Sequence, residues 1–168
     1  LGNRFKDGPS LYFIPQIPNE GDYYRWWQVA KQFAWEKLIR QALVEGNVDA
    51  NRLYVFGISE GGYGSQRLAS FYADYWAAAG PMAGGEPLKN APVENCTNIG
   101  FSFLTGADDT GFYRNILTYY TQIAFDSAQL ARPLDADKRP LFVHRINLLP
   151  NMQHHIKYDL TTPWLKNF

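Results

Sequence analysis

The sequence predicts an α/β domain, a mostly parallel sheet with helices on both faces. Two observations carry this. Short apolar runs rich in strand-forming residues alternate along the chain with longer stretches of helical period, and glycine-rich or polar turns separate them. In addition, 168 residues with 46% hydrophobic and 16% aromatic content suffice for one sizeable buried core. No repeat, low-complexity tract or linker interrupts the pattern, so residues 1–168 read as a single domain.

The first apolar run, Leu11-Tyr12-Phe13-Ile14-Pro15, is expected as a strand, and Pro18-Asn19-Glu20-Gly21-Asp22 as the turn after it. From Tyr23 to about Glu45 the apolar residues Tyr23, Trp26, Trp27, Ala30, Phe33, Ala34, Leu38 and Ala42 recur with helical spacing. Gly46-Asn47 supplies the stop. Arg52 to Gly57 is a strand suited to cover on both faces, and a helix follows from Glu60 to about Tyr72. Trp76 to Gly80 and Ile99 to Thr105 are the next strands, with the Gly84-Gly85 loop between them. A helix from Gly111 to about Leu130 sets Phe112, Ile116, Tyr120, Ile123 and Phe125 near one side. Leu141 to Ile146 is the last strand, and Ile156 to Phe168 should end in a helix. This makes about five strands.

Lys plus Arg and Asp plus Glu both number 16, so the formal net charge is zero. Neither nucleic acid nor an anionic membrane is expected as a partner, since each favours a basic excess. No apolar run approaches the roughly 20 residues of a membrane-spanning helix. The chain opens Leu1-Gly2-Asn3-Arg4 with no signal-peptide pattern. The single cysteine, Cys96, excludes an internal disulfide and reads as an inert loop thiol.

The chemistry concentrates at Gly57-Ile58-Ser59-Glu60-Gly61-Gly62. This is G-x-S-x-G between an apolar strand and a helix, the context in which a tight turn lifts a serine hydroxyl clear of a sheet. The residues two before and two after the serine are expected to be glycine because a side chain would collide. The backbone N–H of Glu60, at the positive end of the following helix, is the expected oxyanion donor. No Gly-Lys-Ser/Thr follows, so a phosphate cradle is not indicated.

A serine needs a base, and the base an orienting acid. Asp108 and Asp109 follow a strand end, as do His154 and His155; either aspartate could reach the imidazole, and either histidine could be the base. The unused aspartate is expected to cap the helix near Gly111. His144 lies inside a strand and reads as a packed or edge residue. A metal site on His154-His155 is disfavoured, because adjacent side chains on an extended loop diverge. Tyr23, Trp26, Trp27 and Tyr63 could wall an aryl or sugar pocket, but Trp26 and Trp27 stand at core spacing.

The run from Asn51 to Gly64 resembles the nucleophile region of the esterase D / polyhydroxybutyrate-depolymerase-like esterases of the α/β-hydrolase superfamily, a group that includes feruloyl and acetyl-xylan esterases. The likeness extends through Gly80-Pro81-Met82-Ala83-Gly84-Gly85, the Gly106-to-Thr110 loop and the His154 loop, covering roughly Val48 to Trp164. The group's acid stands three residues after the loop glycine, which implies Asp109. Its histidine follows a Gly-x-Gly stretch, and Asn151-Met152-Gln153 occupies that place, implying His154. The glycines themselves are absent.

The resemblance implies a carboxylic ester hydrolase with Ser59, Asp109 and His154 as catalytic residues, acting on small-molecule or carbohydrate-linked or aryl esters without a cofactor. It also implies a secreted or periplasmic location. A prolyl-oligopeptidase-type serine peptidase and a non-catalytic binding module on a hydrolase fold are the competing readings. An α/β-hydrolase sheet has about eight strands, so Leu11 to Pro15 would be its fourth. The first three strands, with the loop that gives the second oxyanion N–H, would then lie upstream of Leu1. On that expectation the chain alone is poorly stable and nearly inactive, its first strand is bare or pairs with another chain, and the missing segment is a partner.

Overall fold

The computed structural model describes residues 10–16, 25, 26, 28–46, 48–156 and 158–168. The turn expected at Pro18 to Asp22, together with Tyr23, Trp27 and Asn47, lies outside the described residues.

Four parallel strands form the sheet: β1 (Tyr54–Ile58), β2 (Ala78–Met82), β3 (Gly100–Gly106) and β4 (His144–Leu149), in the order β1-β2-β3-β4. Helix α1 (Val29–Val44) precedes β1, α2 (Glu60–Phe71) links β1 to β2 and α3 (Arg114–Ala131) links β3 to β4; β2 and β3 are joined by a loop with one 3-10 turn (Val93–Cys96), and a short α4 (Thr162–Leu165) follows β4. Each crossover returns the chain to the same end of the sheet, so every strand's C-terminal end opens on one rim. β2 and β3 are buried throughout, as their apolar sequences require. The β2–β3 register omits Gly80 and Pro81, where proline has no N–H to give the ladder.

Two apolar clusters lie on opposite faces of the sheet. The larger joins Ile39 of α1, Leu68 of α2 and Phe125 of α3 to Trp76, Phe101, Phe103 and Ile146. Phe101 and Phe125 stack with centroids 4.6 Å apart. The smaller contains Met82, Ala83, Leu104 and Ile156, with Phe56 and Tyr158 against it. On that face the C-terminal segment is the cover, with Thr161 and Leu165 lying over Gly80 so closely that no side chain fits there.

Four expectations are corrected. Leu11 to Gln16 forms no strand, and Leu11, Phe13 and Ile14 are exposed. The sheet therefore has four strands among the described residues, with β1 at one edge. An apolar run becomes a strand only by pairing, and Pro15 lacks a donor for the task. The stripe of α1 against the core is Ile39, buried, with Trp35 and Leu43 partly buried beside it, while Phe33 and Ala34 are exposed. Both stripes fit the helical period, and the docking of the helix on the sheet selects the one that meets the core. On α3 the buried side chains are Arg114, Thr118, Thr121 and Phe125, while Ile116, Tyr120 and Ile123 stay exposed. The threonines tolerate burial because their hydroxyls are bonded, Thr118 to Thr105 at 2.7 Å and Thr121 to the Leu117 carbonyl at 2.8 Å. β4 also starts three residues later than expected, after a left-handed Phe142 (φ 53°) that turns the chain into the sheet.

Candidate active site

The rim at the C-terminal ends of the strands collects the residues with chemistry. Ser59 follows β1 directly, with φ 58° and ψ −118°, a strained conformation for a side-chain-bearing residue. It is over-determined by its surroundings: the Ser59 N–H donates to the Met82 carbonyl at 3.0 Å, and the Tyr63 N–H donates to the Ser59 carbonyl at 3.0 Å. A Cβ on Gly57 would lie 2.5 Å from the Gly61 carbonyl oxygen, and one on Gly62 would lie 2.2 Å from that of Met82. A Cβ on Gly61 would meet nothing within 4 Å. The glycines that the turn cannot replace are thus Gly57 and Gly62, and the collision expected at Gly61 does not occur.

The loop after β3 holds the two aspartates in opposite environments. Asp109 is 3% exposed and Asp108 is exposed. The loop after β4 turns at a left-handed Asn151 (φ 56°) and passes over Gly106, where any side chain would strike the Met152 and Gln153 carbonyls. His154 is half-buried and its neighbour His155 is exposed. The His154 Nε2 lies 2.9 Å from Ser59 Oγ, and Nδ1 lies 2.7 Å from Asp109 Oδ2. One imidazole therefore bridges a serine 95 residues away and an aspartate 45 residues away.

The second oxygen of Asp109, Oδ1, accepts from Arg114 Nη1 at 2.8 Å. Nothing in the sequence reading singled out this arginine. The available signal was its position: a cation in the first turn of a helix, where the macrodipole favours an anion, needs another reason to be there. Asp108 makes no side-chain cap, and α3 begins at Arg114 after a tight turn over Gly111–Tyr113 rather than at Gly111.

Glu60 opens α2, in the turn whose backbone N–H groups have no intrahelical acceptor. Burial pushes its carboxyl up, partly countered by Arg25 at 3.7 Å. His144 stands apart from the site at the start of β4, between Asp126 Oδ1 (2.9 Å) and the Phe142 carbonyl (2.7 Å). Cys96 is buried, and that burial pushes its thiol up to about 12, so it is no nucleophile at neutral pH. Trp26 packs on Gly64 of α2 and tilts against Trp35, a packing role rather than a pocket wall. Among the described residues no three His, Cys, Asp or Glu side chains gather as metal ligands, and no helix is long and apolar enough to cross a membrane.

The fold that carries this rim is similar to solved structures of hydrolases. The carboxylesterase of Bacillus cereus superposes with a TM-score of 0.63 at 11% identity, over 90% of this chain and 73% of its own. A thermostable esterase matches with a TM-score of 0.54 at 24% identity, over 72% of this chain and 28% of its own. Fluorophosphonate-binding serine hydrolase F of Staphylococcus aureus gives 0.52 at 14% identity, over 82% and 61%. The chain has the α/β-hydrolase fold. It spans less than two thirds of the thermostable esterase and of the staphylococcal hydrolase. Neither a protein-family model nor a curated protein sequence matches it.

Proposed function

We propose that this α/β-hydrolase chain is the catalytic part of a serine carboxylic ester hydrolase that works through an acyl-enzyme. The observation that carries the reading is the unbroken hydrogen-bond path from Ser59 Oγ through His154 to buried Asp109, built on a strained turn. His154 takes the Ser59 proton as the hydroxyl attacks the ester carbonyl. The Glu60 N–H and the positive end of α2 stabilise the developing oxyanion. His154 then protonates the leaving alcohol, and water repeats the sequence on the acyl-enzyme. Asp109 holds the imidazole in the tautomer with hydrogen on Nδ1 and stabilises its cation. This chemistry calls on no metal or cofactor.

The esterase D / polyhydroxybutyrate-depolymerase-like group is the subfamily we favour, on the motifs around Ser59, Asp109 and His154. Aryl or carbohydrate-linked esters are the favoured substrates, because Phe112 and Tyr113 stand exposed in the loop that carries Asp109. A fluorophosphonate probe should label the parent chain and leave Ser59→Ala unlabelled. Equal labelling of the two would overturn the assignment. Among p-nitrophenyl acetate, longer acyl esters and methyl ferulate, the last should give the highest kcat/KM; a preference for long acyl chains would remove the aryl-ester reading.

A further inference from the structure

Asp109 divides its carboxylate between an imidazole and a permanent cation: Oδ2 serves His154 at 2.7 Å and Oδ1 serves Arg114 at 2.8 Å. The arginine is 8% exposed, so water screens this pair poorly. Its placement is built. Two consecutive left-handed residues, Phe112 (φ 52°) and Tyr113 (φ 58°), reverse the chain so that a residue five positions on points back at the aspartate. The same Nη1 also donates to the Gly111 carbonyl at 3.0 Å, and the Phe112 ring covers the guanidinium at 5.0 Å. The guanidinium also acts on Tyr63, one turn after the serine, where its charge opposes the upward push of burial on the phenol. Nε is buried without a hydrogen-bond partner.

We propose that Arg114 is a positioning residue of the triad: it locks the Asp109 carboxylate toward His154 and offsets part of the negative charge that faces the imidazole. In a triad without such a cation, the imidazolium faces a full negative charge and forms more readily. Here it faces an aspartate already paired. The other charged or titratable groups around the imidazole do not substitute for this effect. Asp108 and His155 are exposed and turned to solvent, where their charges are screened. Glu60 is engaged with Arg25, and Glu86 with Arg67 at 3.1 Å. Tyr63 is pushed up by burial, remaining a neutral phenol.

The inference rests on the proposed catalytic roles of Ser59 and His154, but its test does not need turnover. The His154 imidazole is followed by NMR against pH in the whole chain, its signal assigned by loss in His154→Asn. In Arg114→Gln the midpoint should rise by about one pH unit, the lower end of the effect of one nearby charge. The acid limb of kcat/KM for p-nitrophenyl acetate should move up with it. Arg114→Lys keeps the charge, so its midpoint should stay within about 0.3 unit of the parent while kcat falls. A midpoint unchanged in Arg114→Gln, with only thermal stability lost, would overturn the proposal. If the Gln variant does not fold, Arg114→Met, which keeps the packing of the stem and removes the charge, takes its place: the same rise is expected, and an unmoved midpoint overturns the proposal. Failure of the fluorophosphonate to label the parent would sink the acyl-enzyme reading instead, leaving the titration to judge Arg114.

Discussion

The stretch before α1 and the strand-end rim both hold apolar runs bounded by turn residues, yet they fold differently. Leu11 to Gln16 takes no regular structure and exposes Leu11 and Phe13, although the Phe13 ring touches Trp35 edge-on at 6.1 Å. On the rim, each turn is held from several directions. Ser59 is pinned by Met82, Gly62 abuts the same carbonyl, and Gly106 lies beneath the Met152 and Gln153 carbonyls. The difference teaches that a backbone strained by left-handed residues persists where neighbours over-determine it. An apolar run that pairs with no strand among the described residues does not become one.

The comparison breaks most visibly at Ser59. Ser59→Ala should lower kcat by roughly 10⁶ if the serine is the nucleophile, with the fold unchanged by circular dichroism. A rim that merely resembles an active site would lose nothing.

The neighbouring pairs sharpen it further. Asp109→Asn should cost about 10⁴ in kcat, because the imidazole would be held in the wrong tautomer. Asp108→Asn should leave kcat within about threefold, its side chain being exposed. His154→Ala against His155→Ala should split the same way. Steady-state kinetics on one ester for all four variants decides this, and equal losses within either pair would dissolve the distinction.

At the turn itself, Gly62→Ala forces a Cβ to 2.2 Å from the Met82 carbonyl oxygen and should destabilise by about 1–3 kcal/mol. Gly61→Ala enters open space in a helix and should be neutral, or stabilising by about 0.5–1 kcal/mol. Denaturant unfolding of the two variants measures the contrast. The smallest effect belongs to the other region: Leu11→Ser, at a side chain 81% exposed, should change stability by less than about 0.5 kcal/mol. A large loss there would mean that the stretch before α1 contributes more than its exposure indicates.

The sequence by itself determined the alternation that makes the parallel sheet, and the turn that carries Ser59. Both are local: strand and helix periods are set by residues a few positions apart, and the conformation at Ser59 is permitted by Gly57 and Gly62 beside it. It also confined the acid and the base to two adjacent pairs. Only the tertiary structure distinguishes the members of each pair by geometry, since burial of Asp109 and the reach of His154 to Ser59 depend on strands distant in the chain. The buried stripes of α1 and α3 were likewise settled by packing, because two stripes on each helix satisfy the same period. Arg114 was invisible for that reason too: its partner is set by two left-handed residues that no propensity favours, held in place by the contacts of the folded rim.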